Sequence, residues 1–197
     1  MSAELQPHHY PKVYRQLLGY VEKHEMQILH DDGLYRHIRF KSPGTSIGYF
    51  DIITWPGSLA ITGDIGEGHI FTRERDMIAW FYNPIGGYIN PGYWAEKLSR
   101  GARDAVEFSS DKFAAWVRDI AGSRHDVDEM VEEAEHFLTS EEAVDVLDHR
   151  DIYWDFEDVE SWRDYRHHFL LACHAILWGV QEYVKNTTDT TTEGSEQ

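Results

Sequence analysis

The sequence predicts an α+β protein: an antiparallel meander of three to five strands in the N-terminal half, packed against several helices from the N-terminus and the C-terminal half. Three observations predict it. The stretch from Met26 to Thr72 is rich in alternating, aromatic and β-branched residues and is cut by Asp-Gly and Pro-Gly pairs. Apolar residues at helical spacing recur before and after that stretch. Strand and helix signals are segregated along the chain, the mark of this class.

Taken in order, Tyr10–Glu25 reads as an amphipathic helix opened by Pro11, with Val13, Leu17, Tyr20 and Val21 on one face. Met26–His30 is a strand, and Asp31-Asp32-Gly33 turns it into Leu34–Lys41. There Arg36, Ile38 and Phe40 alternate with Tyr35, His37 and Arg39. Ser42–Thr45 turns the chain into a strand over Ser46–Trp55, and Pro56-Gly57 reverses it into Ser58–Asp64. A Gly-rich link over Gly63–Gly68 leads to a short strand, His69–Thr72; it lacks the Lys-Ser/Thr of a phosphate loop and reads as a turn. Helices follow at Glu74–Tyr82, at Pro91 to about Arg100, and from Ser109 or Ser110 to Gly122, the last with Phe113, Trp116, Val117 and Ile120 inward. Asp126–Leu138 and Ser140–His149 are short helices, and Ser161–Val184 is the longest. One domain is expected over residues 1–185, with a disordered Thr-, Glu- and Ser-rich tail over 186–197.

The net charge of −17 is concentrated. Asp126–Asp164 holds sixteen acidic residues against two basic ones, whereas residues 1–125 are nearly balanced. Such a segment repels nucleic acid, which is bound through Lys and Arg, so direct nucleic-acid binding is not expected. A basic protein surface is attracted instead. The chain has a single cysteine, Cys173, no leader pattern in Met1–Pro11, and no apolar run long enough for a bilayer, so a soluble, cytoplasmic protein without membrane contact is expected.

No catalytic motif is present, and no cofactor is expected. His167, His168 and His174 share one predicted helix, but Arg163 and Arg166 crowd it with positive charge and no metal site is read there. Arg36, Arg39 and Lys41 make a basic strand whose charges are expected to pair with the protein's own carboxylates across the sheet. His37, Asp51, Asp64 and His69 all fall on or beside the meander, and together would form a pocket for acid–base chemistry or a small ligand. That pocket is the alternative to the leading reading.

The leading reading rests on the acidic segment. Glu129, Glu132, Glu133, Glu141, Glu142, Asp145, Asp148, Asp155 and Asp158 recur along short helices, interleaved with Tyr153, Trp154, Phe156 and Trp162. Like charges three and four apart weaken a helix, so their accumulation points outward, to a partner. Duplex DNA carries one charge per ~1.7 Å of axis, a density that carboxylates on rigid helices can imitate. Aromatic residues would add the anchors typical of interfaces.

The run from Arg36 to Ser46, continuing through Phe50–Asp64, resembles a segment of small bacteriophage and prophage proteins, and Asn90–Leu98 is similar to a second block of that group. The resemblance covers roughly Gly33 to Arg100, about half the chain, and brings no catalytic residue with it. It implies a small non-virion gene product in the bacterial cytoplasm, of the kind that inhibits or modulates host and defence proteins. The expected function is therefore a phage-encoded accessory protein that binds a basic host or defence protein through its acidic helices, with nucleic-acid mimicry as one form of that action.

Overall fold

The computed structural model describes residues 10–66, 68–82, 88–122 and 124–193, without the side chains of Ala121 and residues 189–193. The protein is α+β. Where one domain over 1–185 is expected, the packing divides into two compact units, residues 1–104 with 167–197, and residues 105–166.

In the first unit, α1 (Pro11–Val21) precedes a five-stranded antiparallel sheet in sequential order, β1 (Glu25–Asp32), β2 (Tyr35–Lys41), β3 (Phe50–Trp55), β4 (Ser58–Gly63) and β5 (His69–Thr72). The period-two alternation of the sequence becomes two faces. Ile38 and Phe40 on β2, Phe50 and Ile52 on β3, and Leu59 and Ile61 on β4 are fully buried on one face. On the opposite face lie His37, Arg39, Asp51, Ile53, Ala60 and Thr62. The strand expected from Ser46 begins only at Phe50, because Ser46–Tyr49 are held in a loop where the Gly48 N–H donates to Asp64 Oδ2 at 2.6 Å. Short helices α2 (Met77–Phe81, capped by Asp76) and α3 (Pro91–Ala95, capped by Asn90) follow. Beyond α3 the chain docks on the outer edge of β5, where Thr72 N–H donates to Lys97 O and Ser99 N–H to Ile70 O. Residues 83–87 of the expected Asn83–Pro91 loop lie outside the described residues.

The Gly-rich link is shaped by close backbone approach. A Cβ on Gly66 would stand 2.6 Å from Thr62 N and 2.8 Å from Ile61 C, both main-chain atoms that cannot swing away. Gly66→Ala is expected to cost about 1–3 kcal/mol in chemical denaturation, the range for overpacking a filled interior.

The long C-terminal helix differs from its expected span. The 161–184 run is broken at Trp162, and the helix proper (His167–Glu193, α8 in chain order) starts after it. Phe169 to Leu177 is buried on every side, so the helix is a core element here and not a surface amphipath. Gly179 lets it approach the sheet, its missing Cβ leaving room for Ile52 Cδ1 and Phe40 Cε2. The helix runs past the expected start of the tail at 186: Thr187 and Thr188 hydroxyls donate to the carbonyls of Tyr183 and Val184, four residues back. Residues 194–197 of that tail lie outside the described residues.

The second unit has its own core. Its helices are α4 (Ser110–Ala121), α5 (Val127–Ala134), α6 (Ser140–His149) and α7 (Phe156–Ser161). A two-stranded ribbon, β6 (Val106–Phe108) with β7 (Arg163–Tyr165), brackets them. Phe113, Val117, Met130, Ala134, Ala143, Leu147 and Trp162 fill the interior. Ile120, expected inward, is instead 54% exposed at the end of α4.

Candidate functional site

The expected meander pocket does not assemble. Antiparallel register sets Arg39 opposite Asp51, and His37 lies two residues along the same face. Asp51 accepts both Arg39 Nε and Nη2 at 2.8 Å and His37 Nε2 at 2.8 Å, which places the proton of a neutral His37 on that nitrogen. Burial pushes the Asp51 carboxyl up, but these charge-assisted bonds outweigh it and hold it below the usual carboxylate range. His69 pairs with Ile61, which pairs with Ile52, so it sits on the other face of the sheet, edge-on to Phe169 with ring centroids 5.6 Å apart. Asp64 is exposed and serves the Gly48 loop. Of the four, only His37 and Asp51 meet, and Arg39 already occupies the carboxylate. A concavity of about 490 Å³ on this face is lined by His37, His30, Tyr35 and Trp55, but by neither Asp51, Asp64 nor His69.

Two of the three charges on the basic strand are committed, Arg39 across the sheet to Asp51 and Arg36 to the cap of α2. Arg36 forms a two-point bond with Asp76 at 3.0 Å, beside Asp31 and over the Tyr183 ring. Cys173 is fully buried among apolar side chains, and burial pushes its thiol well up, away from nucleophilic use. Among the described residues no group of three or more His, Cys, Asp or Glu is placed to hold a metal ion, and no helix is long and apolar enough to cross a membrane.

The acidic face is built in the second unit, which has nineteen acidic residues against six basic ones. On α5, Val127, Met130 and Ala134 are buried, which turns Asp128 and Glu132 outward. On α6, Ser140, Ala143 and Leu147 are buried, which turns Glu141, Asp145 and Asp148 outward, one helical turn apart. Each helix buries one face and exposes a carboxylate stripe on the other.

The nine carboxylates expected to bind a partner do not all remain available. Arg150 stands 3.0 Å from Glu133 and 3.8 Å from Glu129. Glu142 accepts the N–H groups of Leu138 and Thr139, closing a reciprocal cap with Thr139, and those bonds hold its carboxyl below the usual range. Asp155 and Asp158 close the same motif on α7, and Asp158 also accepts the Trp116 indole N–H at 2.9 Å. Asp148 accepts the Trp154 indole N–H at 2.8 Å. Glu132, Glu141 and Asp145 are exposed and have no side-chain hydrogen bond or ion pair among the described residues. Their helical positions were readable from periodicity. The diversion of Glu129 and Glu133 was not, since Arg150 reaches back to α5 from beyond α6, whereas Thr139 three residues before Glu142 carries the spacing of a reciprocal cap.

No protein-family model, curated protein or solved structure matches this chain. Geometry and electrostatics therefore carry the functional reading.

One acid-sensitive point lies at the start of α5. Hydrogen bonds from Arg124 at 3.0 Å hold the Asp126 carboxyl down at about 2, against an ordinary 3.8. Because the folded value lies below the unfolded one, the stabilisation is complete above the unfolded pKa and is lost as pH falls through the folded one. Amide hydrogen exchange around Val127–Met130 is expected to accelerate as pH drops from about 4 to 2, relative to its intrinsic rate. Arg124→Gln is expected to flatten that dependence.

Proposed function

We propose that this chain binds a partner protein with a basic surface through the acidic face of its second unit. The observation that carries the reading is that Glu132, Glu141 and Asp145 stand exposed and uncommitted on helices whose opposite faces are buried, α6 being closed by a reciprocal cap as well. The side chains are held on ordered backbone, so a partner's lysines and arginines meet charge already in place. The interruption of the carboxylate run by Arg150 and by the helix caps favours a discrete docking surface over a continuous copy of a phosphate backbone. The resemblance of residues 33–100 to phage proteins supports looking for the partner among bacterial host and defence proteins.

The test is a pull-down from bacterial lysate across a salt series, comparing the natural chain with a Glu132→Gln, Glu141→Gln, Asp145→Asn variant. These three positions perform no capping or pairing, so the variant keeps its fold. Partners captured in low salt are expected to be released by high salt and to be lost from the variant. A partner retained equally by both chains overturns the proposal.

A further inference from the structure

A groove in the second unit gives this docking surface a specific shape. It lies between α6 and α7, holds about 330 Å³, and has Val144, Trp154, Phe156 and Val159 as its apolar lining. Glu141 and Asp145, two of the uncommitted carboxylates, line the same groove from adjacent turns of α6. Resting on the reading above, we infer that this groove seats one large apolar side chain of a basic partner segment, with lysines or arginines on either side of that anchor meeting Glu141 and Asp145.

Three features support the assignment. The groove is ordered before anything enters it: Asp148 fixes the Trp154 indole, and the reciprocal cap of Asp155 and Asp158 sets the first turn of α7. That turn leaves Phe156 65% exposed, a large apolar surface that folding of the unit does not bury. The volume sits at the lower end of the roughly 300–1,000 Å³ typical of ligand sites, with ample room for one large side chain. The charge around it selects among apolar segments. Arg163 also lines the groove, but its Nε is 3.5 Å from Glu160, so its charge is answered within the chain. Glu141 and Asp145 are left to attract cations one helical turn apart, the spacing at which a basic amphipathic segment presents them.

The test uses two short lysine-rich peptides that differ only in a central leucine or alanine, titrated into the isotope-labelled full-length protein at low salt. The leucine peptide is expected to bind about tenfold or more tightly than the alanine peptide, the gain from burying one such side chain. It is expected to shift the Trp154 indole N–H resonance. Phe156→Ser, an exposed substitution, is expected to abolish the difference between the two peptides. Val159→Thr, checked for folding by circular dichroism, should reduce the difference in the same direction. Equal affinity for both peptides, lost in high salt, overturns the groove and leaves the acidic face standing. Binding of neither peptide overturns both.

Discussion

Trp162→Ala is expected to destabilise the second unit by about 3–5 kcal/mol, the cost of emptying a large buried aromatic site. Trp162 is fully buried, with its ring 5.0 Å from those of both Phe113 and Trp116, edge-on to each. A unit of roughly 60 residues carries about 3–9 kcal/mol of stability in total, so this one truncation removes much of it. Amide hydrogen exchange over residues 105–166 reads the effect directly. Trp162→Phe sharpens the prediction. Among the described residues the buried indole N–H has no hydrogen-bond partner, so phenylalanine gives up volume but no bond and should cost far less than alanine. Comparable losses for the two variants would mean that the ring's packing is not what holds this core.

The second large effect is expected at Asp51. Breaking a fully buried ion pair costs about 3–5 kcal/mol. Here Arg39 and His37 each keep about a third of their side-chain exposure, at 33% and 34%, and recover some hydration when released. The expected cost of Asp51→Ala is therefore about 1.5–3 kcal/mol, the range for charged hydrogen bonds. Its pH dependence is diagnostic. The depressed Asp51 carboxyl contributes fully above its unfolded pKa, and the contribution fades on acidification through the folded value. The stability gap between the natural chain and the variant, measured by denaturation, should be widest near neutrality and close below about pH 4. A gap that stays constant into acid would show that the carboxylate's charge is not responsible.

The same residues show what could be read beforehand. His37 and Asp51 lie on neighbouring strands of the expected meander, and the pairing of Arg39 with Asp51 then brings His37 within reach. His69 could not be assigned a face, because that depends on the register of two further strands. The break at Trp162 was hidden for a different reason. Trp162, Phe169 and Ile176 continue a helical spacing, and the three-residue strands on either side of the acidic helices are too short to show any period. Only their pairing with each other, a contact between positions far apart in sequence, ends one helix and delays the next. The acidic helices were legible in position but not in allegiance. Charge counting cannot tell a carboxylate that caps its own helix from one left exposed to solvent.

The ribbon of β6 and β7 has a consequence for how this molecule is put together. Val106 pairs with Tyr165, and Arg166 N–H donates to Ala105 O at 2.9 Å, so the chain leaves residues 105–166 beside the point where it came in. The acidic helices are thus an insertion closed by its own zipper, spliced between two stretches that make up the other unit. An arrangement of that kind can be lengthened, exchanged or excised with only a short splice between Asp104 and His167, because neither flank has to move to accommodate the change.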